Sequence, residues 1–142
     1  MFLPELDNLV RIGKLKAEAG TQIEFDGLMR SGTVRLRDAA NTTNSMESRF
    51  DLAYNAAHAT SLAALRWHGY RSENRYLVFQ SLTHTVKLPA EQWRVLDQAH
   101  RKRNLAEYEG DLEIDDELVA ALIRVAREVV QRAQALGRIG GR

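Results

Sequence analysis

Proline stands only at Pro4 and Pro89, so almost the whole backbone keeps the N–H groups that an α-helix needs. Alanine is abundant and alternating β-branched runs are absent apart from short pieces, a combination that favours helix over strand. The chain is therefore expected to be all-α. The order of its apolar patterns fits a helical bundle of four core helices preceded by one or two N-terminal helices. At 142 residues it fits one domain with a sizeable core.

The helix boundaries are written in local signals. Leu6, Leu9 and Val10 predict a short helix ending near Gly13. Thr21 with Glu24 forms a capping box, after which Phe25, Leu28, Gly32, Leu36 and Ala39 recur at helical spacing. Asn41 to Asn44, "NTTN", reads as a link. Asn44 with Glu47 is a second capping box, opening a helix whose apolar and small residues surround its axis, which predicts the central, most buried element. Gly69 stops it. Ser72 is placed to cap a third segment in which Tyr76, Phe79, Leu82 and Val86 face inward. Pro89 suits the first position of a fourth helix. Asp115 caps the last one, with Ile114 and Val119 as a hydrophobic staple, a stripe of Leu118, Leu122, Val125, Val129, Ala133 and Leu136, and Gly137 as its end. Residues 1–43 are thus expected as a helical extension packed on a bundle over 44–137, with 138–142 a flexible tail.

Charge and motifs exclude several functions. Twenty Lys plus Arg against nineteen Asp plus Glu leave a net charge of +1, so any contact with a polyanion must be local. The absence of cysteine removes disulfides, zinc-thiolate sites and thiol nucleophiles. Apolar runs are broken by charges before membrane-spanning length, and "MFLPELDNLV" lacks a basic leader and an apolar core, so the expected location is the cytoplasm, away from membranes. No Gly-rich phosphate loop or His-Glu-x-x-His is present, and the acidic run Glu109 to Asp116 lacks a calcium-loop pattern. No cofactor and no metal are expected.

One stretch breaks the packing pattern: "HRKRNLAEYEGD", His100 to Asp111. With residues 88 to 108 projected at roughly 100° each, Leu88, Trp93, Val95, Leu96, Ala99 and Ala106 share the core-facing half of the helix. Glu91, Arg94, Asp97, Gln98, Arg101 and Lys102 gather opposite, with Leu105 among them. His100, Arg103 and Glu107 fall in the apolar half, with Asn104 at its border. Burying ionisable groups costs several kcal/mol unless they are paired or line a cleft. Arg103 and Glu107 are spaced as a structural ion pair, and His100 can be a satisfied core histidine. The other reading is a polar site at a cleft or subunit interface. His58 and His84 sit in strong packing patterns, and His68, beside Gly69, is placed to meet terminal carbonyls.

A long buried helix, then "GYRSENRYLVFQSLTH", then "RKRNLAEY" leading to a final long helix, resembles the HEPN superfamily, the higher eukaryotes and prokaryotes nucleotide-binding domain. The resemblance spans roughly Asn44 to Leu136. It implies a helical bundle that usually pairs as a homodimer and, in active members, cleaves RNA without a metal, through facing motifs of Arg, a polar residue, a few intervening positions and His. It also implies possible partnership with a nucleotidyltransferase-type antitoxin or a place in a defence system. Arg103 matches the motif Arg and Asn104 the polar residue, but Tyr108 stands where His is expected. An imidazole with a pKa near 6.5 suits the base that metal-free cleavage requires, whereas a phenol near 10 is about a thousandfold short of its anion at pH 7.

Three functions follow as expectations. The first is a binding module in which Arg103 and Asn104, with Tyr108 and His100 beside them and Arg101 and Lys102 adding charge, hold phosphate of RNA or a nucleotide in a dimer cleft. The second is a metal-independent endoribonuclease toxin with an altered site, His100 acting as base and Arg103 stabilising the phosphorane. The third is an interaction protein in which Arg103 and Glu107 only fix helix pairing.

Overall fold

The computed structural model describes residues 3–110 and 113–140, without the side chains of residues 108 and 109. Over the described residues the chain is all-α but for one two-residue ladder, in the order α1 (Pro4–Arg11), β1 (Lys16–Ala17), α2 (Gln22–Ala40), α3 (Met46–Trp67), β2 (Tyr70–Arg71), α4 (Arg75–Gln80), α5 (Leu82–Thr85), α6 (Ala90–Glu109) and α7 (Asp116–Gln134). Strands β1 and β2 pair antiparallel, with Lys16 opposite Arg71 and Ala17 opposite Tyr70. Among the described residues no helix is long and apolar enough to cross a membrane.

Helix α3 is the axis of the fold, as its surrounding apolar pattern predicts. Phe50, Ala53, Tyr54, Ala56, Ala57, Ala63, Ala64 and Trp67 are all buried. They pack with Phe25, Met29, Leu36 and Ala39 of α2, Phe79 and Leu82 of α4 and α5, Leu96 and Ala99 of α6, and the Val119–Ala133 stripe of α7. Helix α2 therefore contributes directly to the principal core, while α1 covers a smaller cluster of Leu6, Leu15, Leu65, Tyr70 and Val78.

Several helix ends fall where their signals place them. Thr21 accepts from the Glu24 amide at 3.1 Å, Asp115 accepts from the Glu117 amide at 2.9 Å, and Gly69 and Gly137 adopt positive φ at 90° and 81° beyond α3 and α7. The Thr21–Glu24 box is only half made, because the Glu24 carboxylate turns to Arg66 and Arg71.

Other ends shift by one or two residues. The cap of α3 is Ser45, which accepts from the Ser48 amide at 3.1 Å, because Asn44 uses its amide to bond the Asp38 carbonyl at the end of α2. Asn74 caps α4 through the Leu77 amide, and Ser72 instead accepts from the Asn74 amide in the preceding turn. The third segment is broken at Ser81 into two short helices; the Ser81 hydroxyl donates to the Val78 carbonyl at 2.6 Å, a local bond that competes with the helix ladder. Pro89 is the N-cap of α6, and the helix begins at Ala90. His68 binds the Thr85 carbonyl of α5 at 3.0 Å and so ties α5 to the end of α3. His84 lies 3.4 Å from Glu5. The start of the tail is anchored: the Ile139 amide donates to Gln22 Oε1 at 2.8 Å and the Trp67 indole donates to the Gly137 carbonyl at 3.1 Å.

The α2–α3 contact depends on Gly32. A Cβ added there would lie 2.4 Å from Thr60 Cγ2 and 3.2 Å from the Ala56 carbonyl oxygen. Alanine at this position improves helix propensity by about 1 kcal/mol, but the overlap costs about 1–3 kcal/mol. Gly32→Ala is thus expected to be destabilising. Adding Thr60→Ser removes the obstructing methyl while keeping the hydroxyl that donates to the Ala56 carbonyl. The double variant should recover most of the loss, as coupling in a double-mutant cycle measured by urea unfolding. Simple additivity of the two changes would show that the overlap is absent.

Candidate functional site

Three helices converge on the ring of Tyr54. This residue is fully buried on α3, yet its surroundings are unusually polar. The phenol oxygen lies 2.9 Å from His100 Nδ1 on α6. The guanidinium carbon of Arg103, one turn further along α6, sits 5.0 Å from the Tyr54 ring centroid, and that of Arg75, the first residue of α4, sits 5.7 Å from it. Both distances are in the range of cation–π attraction. Phe50 and Phe79 complete the apolar wall, with ring centroids 6.4 and 5.5 Å from that of Tyr54.

This geometry explains how α6 can carry ionisable groups on its apolar side. The helix keeps Leu96 and Ala99 buried, and its next turns project His100, Arg103 and Asn104 onto the polar edge of the Tyr54 pocket. Asn104 Nδ2 lies 3.4 Å from His100 Nε2. With the amide donating there, Nε2 is the acceptor and the neutral ring carries its proton on Nδ1, which donates to the Tyr54 oxygen. Burial, followed by the nearby Arg103 charge, lowers the His100 pKa below the ordinary imidazole value despite an opposing influence from Asp97. Burial raises the Tyr54 pKa, opposed by the two arginines. The result is a neutral imidazole and a neutral phenol beside two fixed cations.

The two guanidiniums are weakly compensated. Arg103 Nη1 reaches Glu107 Oε2 at 3.4 Å, with 29% of the Arg103 side chain and 53% of the Glu107 side chain exposed. That separation and exposure make it a weak pair. Among the described residues no carboxylate pairs with Arg75, whose Nη1 donates to Asn55 Oδ1 at 3.1 Å. Beside Arg103 an open cleft of about 240 Å³ is lined by Glu47, Phe50, Asp51, Ala106, Glu107 and Ile114.

The structure brings His100, Arg103 and Asn104 together and leaves Glu107 at the rim. Tyr108 lies on the last turn of α6, and its side chain is outside the described residues. Arg101 and Lys102 are separated from the cluster: they line a different cleft with Gln98, Leu105, Glu113 and Leu118, against α7. Arg101 is 74% exposed and pairs with Asp97 at 3.0 Å. Asp97 itself, placed on the solvent side by the helical projection, is only 15% exposed, because it lies near the α4 contact rather than on the outermost face. His58 belongs to the polar margin as well as to the packing, with its ring 6.0 Å from that of Phe79. Burial first, then Arg75 and Arg103, push its pKa down to about 4.

Sequence reasoning missed Tyr54, Asn55 and Arg75. A signal for part of this was present: Asp51, Asn55 and His58 recur at helical spacing and form a polar stripe on a helix otherwise surrounded by apolar residues. Among the described residues no group of His, Asp and Glu is arranged to hold a metal ion. No protein-family model matches the chain, and no curated protein sequence matches it.

Proposed function

We propose that the chain is an HEPN-like domain that pairs as a homodimer and binds RNA or a nucleotide through phosphate, with Arg103 as the phosphate ligand and Asn104 and His100 beside it. The observation that carries this reading is the placement of Arg103: its guanidinium is held on the Tyr54 ring at the mouth of a cleft shared with Glu47 and Asp51, while its ion pair with Glu107 is long, at 3.4 Å, and exposed. An anion with paired oxygens can take that guanidinium by two charge-assisted hydrogen bonds at little desolvation cost. The resemblance of the Arg103–Asn104 motif supplies the nucleic-acid context, and a toxin–antitoxin or defence role with it. The twofold arrangement would place two such clefts side by side.

One observation favours a second reading, metal-independent cleavage. Among the described residues, His100 presents a neutral Nε2 whose lone pair is engaged only by the 3.4 Å contact to Asn104, which is the state a general base requires.

The test is binding of single-stranded RNA in chelator by the wild type, Arg103→Ala and His100→Ala, with sedimentation of the same samples. The expected outcome is a dimer that binds RNA without cutting it. Arg103→Ala should lose about tenfold in affinity and reduce the salt slope by about one. Cutting that vanishes in both variants would establish the ribonuclease. Unchanged binding by a folded Arg103→Ala, or a monomer at every concentration, would overturn the proposal.

A further inference from the structure

The side of Tyr54 facing α4 holds a second cation that the Arg103 site does not use. Arg75 is fixed by Asn55, whose Oδ1 accepts from Arg75 Nη1 at 3.1 Å while its own amide donates to the Asp51 carbonyl at 2.9 Å. Asn55 is therefore a positioning residue, with its oxygen spent on Arg75 and one of its two amide hydrogens on the α3 backbone. Its turn-mate on α3, His58, is half-buried, and its ring nitrogens have no hydrogen-bond partner among the described residues. The groups acting on its charge are Arg75 of α4 and Arg103 of α6, both cations, with no carboxylate opposing them. Among the described residues Arg75 thus has no carboxylate partner and His58 no hydrogen-bond partner, and the nearest carboxylate along their stripe of α3 is that of Asp51, one turn before Asn55.

We infer that Arg75 and His58, with Asn55 holding Arg75 in place, form a second phosphate subsite beside that of Arg103, so that the site takes ligands carrying two neighbouring phosphate groups. The inference rests on the phosphate reading of Arg103 and extends it by naming the ligand class. The two guanidinium carbons approach the same ring at 5.0 and 5.7 Å and hence lie within about 11 Å of each other, while each grips oxygens about 2.8 Å from its nitrogens. That ceiling leaves room for two linked phosphates to reach one guanidinium each. A bound anion also supplies the counter-charge that His58 lacks and so raises its pKa, while the N–H of the neutral imidazole is itself a donor to the phosphate.

The experiment is calorimetric titration at pH 7, in chelator, of inorganic phosphate and inorganic pyrophosphate into the wild type, Arg75→Ala, His58→Gln and Arg103→Ala. His58 is followed by NMR in the wild type. Pyrophosphate should bind the wild type at least about tenfold more tightly than phosphate. Arg75→Ala should bring the ratio close to one and His58→Gln to a few-fold, and saturation with pyrophosphate should raise the His58 pKa. Equal affinity for the two anions, or a preference that survives Arg75→Ala in a folded protein, would overturn the second subsite while leaving the first. If neither anion binds, or if Arg103→Ala binds both as the wild type does, the phosphate reading fails and the subsite with it. Repeating the comparison with a nucleoside diphosphate and a 5′-phosphorylated dinucleotide assigns the source: the one that shows the Arg75-dependent gain is the ligand form the site fits.

Discussion

Arg66→Ala should lower the free energy of unfolding by about 3–5 kcal/mol, the range for removing one partner of a buried ionic network. Arg66 is 2% exposed, and its guanidinium is fully occupied. Nε donates to Glu24 Oε1 at 3.0 Å, Nη1 donates to the Glu18 and Tyr70 carbonyls at 2.7 and 3.2 Å, and Nη2 donates to the Ala19 carbonyl at 3.1 Å. Nη2 also lies 3.1 Å from Glu18 Oε2. Arg71 bonds the same two carboxylates at 2.6 Å each.

One side chain thus joins the β1–α2 link to the end of α3. The approach is close enough that a Cβ on Gly20 would lie 2.5 Å from the Arg66 carbonyl oxygen. Alanine at position 66 takes the Arg66 donors from three backbone carbonyls and leaves the two carboxylates to Arg71 alone, so the loss exceeds that of a surface pair. Arg66→Lys keeps the charge, but a single ammonium cannot reach acceptors arranged around a planar fork, and it should fall between wild type and alanine. Urea midpoints with unchanged slope would measure this. A loss below 1 kcal/mol in Arg66→Ala would show that the network is dispensable.

The second large effect is acid destabilisation through His58. Its folded pKa is about 4, against 6.5 for a free imidazole. Above pH 6.5 both folded and unfolded states are neutral there, and the group leaves stability unchanged. As the pH falls from 6.5 toward 4, the unfolded chain binds a proton that the folded one refuses, so stability is progressively lost, up to about 3 kcal/mol. Between pH 7 and 5 the expected loss is about 2 kcal/mol, and His58→Gln should remove that slope while retaining a polar side chain. Comparing wild type with the variant isolates the His58 share, because His100, whose pKa burial also lowers, adds a loss of the same sign in both proteins, and Glu18, whose carboxyl is held low chiefly by its hydrogen bond from Arg71, adds its own as the pH falls further. Parallel pH profiles for the two proteins would mean that His58 is free to ionise in the folded state.

Much of the architecture could be read before any coordinates, because it is encoded over a few adjacent residues. The Thr21 and Asp115 caps, the glycines at 69 and 137, and the stripe of α7 are local or periodic signals, and each describes an interaction within one turn or one face. The errors were equally local: Asn44 and Ser72 are good caps by type, but each found a competing acceptor or donor nearby. The projection of α6 likewise marked His100, Arg103 and Glu107, with Asn104 at the border, as misplaced polar groups; the structure gathers His100, Arg103 and Asn104 and leaves Glu107 at the rim.

The rest was a matter of meeting. No periodicity within α6 names Tyr54, 46 positions before His100, and nothing in "RSENR" says that Arg75 folds back onto Asn55. The separation of Arg101 and Lys102 from Arg103 follows from which neighbour each side of α6 packs against, a property of α7 and α4 rather than of α6. The amino-acid pattern by itself determined most of the helices, several of their ends and the place where polar groups interrupt a core face, since those depend on contacts between near neighbours. Tertiary packing alone decided what those polar groups confront, because the partners lie on other helices and become neighbours only when the apolar faces of α3, α4 and α6 close on one another.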